Sequence, residues 1–120
     1  MNGNPNAAQK RYHDELREWY FETQMQHGVG ELHHIFGSKE KFKLLKEAGI
    51  EKAGEWFVIM LPKTVHDDIK SYSFEGERAL FFGQKLDYKY FFGKESPIPR
   101  EVFDYYTQMT SKHQGLKNWL

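Results

Sequence analysis

The chain carries two adjacent histidines, His33 and His34, in the segment Glu31-Leu32-His33-His34-Ile35. Neutral imidazole can ligate a metal ion or accept a proton near neutral pH, so the pair is a candidate for either chemistry. The segment is typical of a short strand, in which Leu32 and His34 point to one face and His33 to the other. If the strand twists or ends at the pair, both imidazoles can reach one site. The simpler alternative is two surface histidines at a strand end.

A third histidine gives the pair a chemical context. The apolar run at residues 56–61, closed by Pro62, predicts a buried strand, and a helix that begins near Lys63 carries His66. Strand, strand and helix in this order are the elements of a ββα-metal nuclease site. Hydrolysis of a phosphodiester needs a divalent cation at the scissile phosphate and a base for the attacking water. One histidine of the pair can be the base while the other and His66 hold the metal.

Composition limits the class of protein. The 120 residues contain 17 Lys and Arg against 17 Asp and Glu, which excludes a strongly basic nucleic-acid coat protein but allows a local basic groove. Aromatic residues make up 17% of the chain and can fill one core. Cysteine is absent, which excludes disulfides and cysteine-based zinc sites. Without an apolar run of roughly 18 residues or signal-peptide features, we expect a soluble, cytoplasmic, single-domain protein with no membrane partner.

Helices must position these histidines. Asn4 followed by Pro5 is typical of a helix start. A second helix is predicted from Ser38 to Gly49. The predicted organisation is a flexible segment at residues 1–5, an N-terminal helix at 7–24, a ββα core at 28–83 and a C-terminal helical extension at 84–120.

The C-terminal half is rich in aromatic residues. We predict a helix at residues 74–82 that Gly83 closes, and a final helix from Pro99. Residues 86–92 between them fit either a strand or a packed loop. The residues expected in the core are Phe42, Leu45, Trp56, Val58, Phe74, Phe81 and Phe103. The three remaining histidines, His13, His27 and His113, are expected to lie outside the site.

Lysines cluster on the second predicted helix. A solvated helix face is the simpler interpretation of this basic run, and contact with nucleic-acid phosphates is the other. Lysines that flank His66 would extend such a phosphate-binding surface. The candidate phosphate-contacting residues are Lys39, Lys41, Lys43, Lys63 and Lys70.

The histidine segments resemble the HNH/endonuclease VII superfamily, also called ββα-metal or His-Me finger nucleases. The resemblance rests on residues 31–37, then on the apolar strand at residues 58–62, then on His66-Asp67-Asp68. Small phage Ref-like HNH nucleases are one similar branch, and residues 73–83 resemble the aromatic helix that follows their motif. Toxin-type nucleases with LHH or AHH signatures are the other.

This resemblance implies an α+β fold, with two short antiparallel strands and a helix embedded in additional helices. It implies that His33 and His66 are metal ligands and that His34 is the general base. The ligand often found four residues after the helix histidine falls on Lys70, so Asp67 or Asp68 would have to substitute for it. The implied cofactor is a divalent metal ion, with Mg²⁺ as the first choice and Mn²⁺ or Zn²⁺ as the alternatives. A structural zinc site made of cysteines is not expected.

The implied function is a metal-dependent DNA endonuclease, encoded by a phage or a mobile element. The partner is then DNA, and a homodimer or a protein partner is also compatible with the sequence. The chain departs from the family at two points. Pro62 and Val65 stand where many members have zinc-ribbon ligands, and the Asn that gives the HNH motif its middle letter is not identifiable. One alternative is therefore a catalytically degenerate HNH-fold module that binds nucleic acid or a protein. The other is an unrelated small α+β interaction domain.

Overall fold

The computed structural model describes residues 5–36, 39–67 and 74–112. Within these ranges the chain forms five α-helices and a two-stranded antiparallel sheet, which confirms the predicted α+β class. None of the described helices is both long and apolar enough to cross a membrane. The elements are α1 (Ala7–Thr23), β1 (Gly30–His34), α2 (Lys39–Glu47), β2 (Val58–Pro62), α3 (Lys63–Asp67), α4 (Phe74–Phe92) and α5 (Arg100–Lys112), with short 3-10 helices at Met25–His27 and Glu51–Trp56.

The sheet joins the histidine pair to the apolar run. β1 is antiparallel to β2, with His33 opposite Ile59. Every residue of β2 except Pro62 is buried. β2 begins at Val58 rather than at the predicted position 56, because Trp56 closes a 3-10 helix. β1, β2 and α3 therefore occur in the predicted order along the chain, with α2 in the connection between the strands and α3 directly after β2.

A side chain covers the outer edge of β2 at Met60. The Gln84 amide on α4 accepts a hydrogen bond from the Met60 N–H and donates one to the Met60 carbonyl, both at 2.8 Å. Both residues are buried, so these bonds satisfy backbone groups that would be costly to leave unpaired. α4 is therefore held along the edge of the sheet.

α1 starts at a capping box and packs closely on β1. The Asn6 side chain accepts a hydrogen bond from the Gln9 N–H at 2.8 Å, and the Gln9 side chain accepts one from the Asn6 N–H at 2.9 Å. This box makes Asn6 the cap instead of the predicted Asn4. A Cβ on Gly30 would lie 2.5 Å from a ring carbon of Tyr20, so only glycine permits this approach of α1 to β1.

Aromatic rings fill the core between the sheet and the C-terminal helices. The centroid of the Tyr106 ring lies 4.5 Å from that of Phe81 and 5.6 Å from that of Phe57. Four predicted core residues are confirmed as buried, namely Leu45, Trp56, Val58 and Phe81. Phe103 is partly buried against the same cluster. The side chains of Phe42 and Phe74 lie outside the described part of the structure.

α4 continues through Gly83, where the sequence predicts a stop, and it includes residues 86–92, where a strand or loop was the expectation. The buried residues Phe81, Gln84 and Tyr88 follow helical spacing, so the buried face persists across the glycine. A glycine inside a helix lowers helix stability by about 0.5–1 kcal/mol but does not end the helix when packing continues beyond it. The boundary predicted at residue 83 thus falls inside a helix.

Gly83→Ala is expected to stabilise the protein. A Cβ at this position meets no atom within 4 Å, and alanine loses less conformational entropy in a helix, so the free energy of unfolding should rise by about 0.5–1 kcal/mol. Gly93→Ala is the matched control, because φ at Gly93 is +69° and a side chain there is strained. Urea unfolding measures both. A less stable Gly83→Ala protein would contradict a helix through residue 83.

Phe81→Ala should lower the free energy of unfolding by about 3–5 kcal/mol, because it leaves a cavity in the aromatic cluster. Phe81 is 2% exposed. The control is Phe21→Ala on α1, where the side chain is 64% exposed and the expected change is within about 0.5 kcal/mol. Equal melting temperatures for the wild type and Phe81→Ala would show that α4 is peripheral.

Candidate functional site

β1 presents its two histidines on different faces of the sheet. Successive strand residues point to opposite sides, so Glu31 and His33 share one face while Leu32 and His34 share the other. β1 stays paired with β2 through His34, without a bend that would turn both imidazoles to one side. The structure therefore brings His33 together with His66 and directs His34 to a separate cluster, although the sequence predicts one shared site for all three.

The first face holds two histidine–carboxylate pairs. His33 Nε2 lies 2.8 Å from Glu77 Oε2 on α4, and His66 Nδ1 lies 2.9 Å from Glu31 Oε1. The centroids of the His33 and His66 rings are 5.2 Å apart. We call these four residues the two-histidine face. The Glu77 side chain is 2% exposed, so its oxygens need hydrogen-bond partners within the protein, of which His33 is one.

The second face holds His34, Glu55 and His13, which we call the Glu55 cluster. His34 Nε2 lies 2.8 Å from Glu55 Oε1, and His13 Nε2 donates a hydrogen bond of 2.7 Å to the Glu55 carbonyl. The His13 and His34 ring centroids are 6.0 Å apart. His13 was expected to lie outside the site of His33, His34 and His66, yet it is buried next to His34. α1 packs on this face of the sheet, and His13 belongs to its buried stripe beside Tyr12.

Each candidate histidine therefore has a carboxylate partner on a different element. A carboxylate that accepts one N–H of an imidazole fixes its tautomer and leaves the lone pair on the other nitrogen. Metal-ligating histidines commonly carry such a partner, and so do histidines that act as bases in catalysis. The three pairs thus orient three imidazoles for ligation or for proton transfer.

The sequence did not identify these carboxylates because they come from distant positions. The paired residues are separated by 21, 35 and 44 positions, so no local motif connects them. Two signals could have identified candidates. Glu55 interrupts an apolar neighbourhood just before β2, and Glu77 precedes Phe81 by four residues on the buried side of α4.

The side chains of the two-histidine face are of the types that bind divalent cations, because such ions coordinate imidazole nitrogen and carboxylate oxygen. With metal–nitrogen distances of about 2.1 Å, two imidazoles on one cation have ring centroids roughly 5 Å apart, as His33 and His66 do. Over the residues that the structure describes, no group of three His, Cys, Asp or Glu side chains could hold a metal ion. The two imidazoles would thus need water or phosphate oxygens to complete the coordination.

Asp67, the carboxylate proposed from sequence as a further ligand, is paired with a lysine on its own helix. Its Oδ2 lies 2.9 Å from Lys63 Nζ in an exposed pair one helical turn apart. No described group of three His, Cys, Asp or Glu side chains could hold a metal ion, so the structure does not join Asp67 to His33 and His66 as a third ligand. Asp68 and Lys70 lie outside the described residues.

The candidate phosphate-contacting lysines are only partly described. Lys39 and Lys43 are exposed on α2. The hydrogen bond from Lys63 to Asp67 raises the pKa of Lys63, which therefore stays charged. The side chain of Lys41, like Lys70, lies outside the described residues. Three of the five lysines are thus exposed cations, which fits either a solvated surface or a phosphate-binding one.

Burial is the main electrostatic influence on His13. Burial lowers the pKa of His13. The hydrogen bond to the Glu55 carbonyl and the Glu55 side chain oppose this shift, whereas the nearby His34 reinforces it. The folded protein therefore keeps His13 neutral at a pH where the unfolded chain, with a pKa of about 6.5, begins to protonate it. Since the unfolded state then binds more protons, stability must fall as pH decreases through this range.

We expect the free energy of unfolding to decrease from pH 7.5 to pH 5.5 and His13→Gln to reduce that decrease. The His13 contribution to the slope is at most about 1.4 kcal/mol per pH unit. Urea unfolding at several pH values measures both slopes, and exposed His27→Gln is the control that should leave the slope at its wild-type value. Equal slopes for the wild type and His13→Gln would contradict a buried neutral His13.

Known proteins supply no further assignment of this site. The chain has no match among family models, curated proteins or solved structures. A functional assignment therefore rests on the two-histidine face, the Glu55 cluster and the sequence motif that contains His33 and His34.

Proposed function

We propose that this chain is a divalent-cation-dependent endonuclease of the HNH type that hydrolyses phosphodiester bonds in DNA. The observation that carries the proposal is the contact between His33 of β1 and His66 of α3, whose ring centroids lie 5.2 Å apart. This contact forms where α3 leaves the antiparallel pair of β1 and β2, the arrangement of two strands and a helix that the HNH resemblance implies. Exposed Lys39 and Lys43 supply positive charge for a phosphate backbone.

His33 and His66 are the residues that would hold the cation. Glu77 accepts the N–H at Nε2 of His33, and Glu31 accepts the N–H at Nδ1 of His66. The opposite nitrogen of each ring, Nδ1 of His33 and Nε2 of His66, then carries the lone pair for ligation. A bound divalent cation supplies charge neutralisation at the scissile phosphate and the leaving oxygen.

His34 is the residue that would take the proton from the attacking water. Its Nε2–H is bonded to Glu55, so the lone pair lies on Nδ1 and can accept the proton. The Glu55 carboxylate stabilises the imidazolium that forms, as the acidic member of a catalytic triad does. His34 is the last residue of β1, and its side chain is 33% exposed, so a substrate can reach its ring from solvent at this end of the strand.

A second candidate is an HNH-fold module that binds nucleic acid or a protein partner without cutting. The observation in its favour is that no described group of three side chains could hold a metal ion. Incubation of the purified chain with supercoiled plasmid and Mg²⁺ or Mn²⁺ separates the candidates. Nicked or linear product supports the endonuclease, and intact plasmid that still shifts on a gel supports the binding module.

The roles of the three histidines predict different mutant phenotypes. His34→Ala should reduce the cleavage rate by about 10²–10⁴-fold at saturating metal while leaving metal affinity near the wild-type value. His33→Ala and His66→Ala should instead weaken metal binding, and excess Mn²⁺ should partly restore their cleavage. Titration of cleavage against metal concentration, together with calorimetry of Mn²⁺ binding, measures both effects.

His27→Ala is the control for these variants, because His27 is exposed in the 3-10 helix after α1 and should behave like the wild type. The assignment of His34 as base and His66 as ligand would be contradicted if added metal restored cleavage by His34→Ala while His66→Ala kept the wild-type metal affinity. Loss of cleavage in His27→Ala would show that the histidine variants lose activity because the fold is destabilised and not because a catalytic group is missing.

A further inference from the structure

Glu55 is contacted by two imidazoles in different ways. His34 bonds to its carboxylate, and His13 bonds to its backbone carbonyl. We propose that His13 is a positioning residue, which holds Glu55 in place so that its carboxylate orients His34. This inference rests on the proposed function of His34 as the base, and it adds a residue of α1, outside the strand–strand–helix core, to the machinery.

The backbone position of Glu55 explains why it needs a partner. Glu55 lies in the last turn of the 3-10 helix Glu51–Trp56, and the final carbonyls of a helix have no donor from within that helix. The residue is buried, so water cannot readily replace the missing donor. The His13 Nε2–H fills this requirement at 2.7 Å and thereby anchors the main chain from which the carboxylate projects.

The two imidazoles do not compete equally for the carboxylate. His13 Nε2 is 3.8 Å from Glu55 Oε1, whereas His34 Nε2 is 2.8 Å from the same oxygen. Burial lowers the pKa of His13, so that ring stays neutral and does not compete with His34 as a cation for the Glu55 carboxylate. His13 therefore acts on the backbone of Glu55 while His34 uses its charge.

Packing of α1 makes His13 a rigid anchor. The neighbouring Tyr12 is 1% exposed, and its ring centroid lies 5.8 Å from that of Trp56, the residue after Glu55. One turn beyond His13, Leu16 is fully buried. With α1 fixed on both sides of His13, a shift of Glu55 requires the loss of the hydrogen bond and not merely a side-chain rotation.

The matched test compares His13→Leu with His13→Gln. Leucine removes the donor, whereas the glutamine amide nitrogen can replace the donor at Nε2. On supercoiled plasmid with Mn²⁺, we expect His13→Leu to lower kcat roughly 10–100-fold with KM within about twofold of the wild type, because a misplaced base affects the chemical step. His13→Gln should stay within about threefold of the wild type. If His13→Leu does not fold, His13→Asn replaces it, since its amide is too short to reach the carbonyl.

A second measurement does not depend on cleavage. Long-range ¹H–¹⁵N correlation spectra of the His34 imidazole report which ring nitrogen carries the proton. We expect the Nε2–H tautomer in the wild type and in His13→Gln, and a mixture of tautomers in His13→Leu. If the wild type cuts no DNA, the proposed function fails, and these spectra alone decide whether His13 positions Glu55.

Two results would overturn the inference. One is wild-type kcat and a wild-type His34 tautomer in folded His13→Leu, because His34 would then be oriented without His13. The other is an equal decrease of kcat in His13→Gln and His13→Leu, because the decrease would then follow from damage at the site and not from the missing hydrogen-bond donor.

Discussion

A two-stranded sheet is marginally stable by itself and needs other elements to cover its faces. α1 covers the face that carries His34, and α3 and α4 approach the face that carries His33. Each covering helix brings polar side chains to the histidine beneath it. His13 arrives with α1, whereas His66 and Glu77 arrive with α3 and α4. The requirement to cover both faces thus creates two chemical environments from one pair of adjacent residues.

Buried carboxylates connect the site to the stability of the fold. Glu55 and Glu77 are 6% and 1% exposed, and an ionised carboxylate in such surroundings is costly without hydrogen-bond donors. His34 and His33 supply donors to them, so loss of either histidine would remove one hydrogen-bond donor from a buried carboxylate. The third pair, Glu31 with His66, is more exposed and depends less on burial. The strand histidines therefore serve structure and proposed chemistry at the same time.

Local patterns in the sequence predicted the strands and most helices because apolar spacing and turn residues act over a few positions. The buried run that became β2 and the order of strand, strand and helix are of this kind. The continuation of α4 beyond Gly83 was not predicted, because tertiary packing of Gln84 and Tyr88 outweighs the local preference of one glycine. The placement of His13 was missed for a similar reason, since its environment depends on which face of the sheet α1 covers.

The partners of the histidines were the least predictable part of the candidate site. No sequence pattern relates Glu77 to His33 or Glu55 to His34, because each contact depends on how distant elements pack. Only the proximity of His33 to His66 followed from the order of elements. The direction of His34 depended on whether β1 stayed regular to its end, which residue types alone do not determine.

The Gln84 side chain also limits how this protein can associate with other chains. A partner that extended the sheet by strand addition would need the free N–H and C=O groups of an edge strand. At Met60 both groups are already bonded to Gln84, whose helix is anchored in the core by Phe81 and Tyr88. β-augmentation along β2 would therefore require the displacement of α4, so assembly without such a rearrangement must use other surfaces of the molecule.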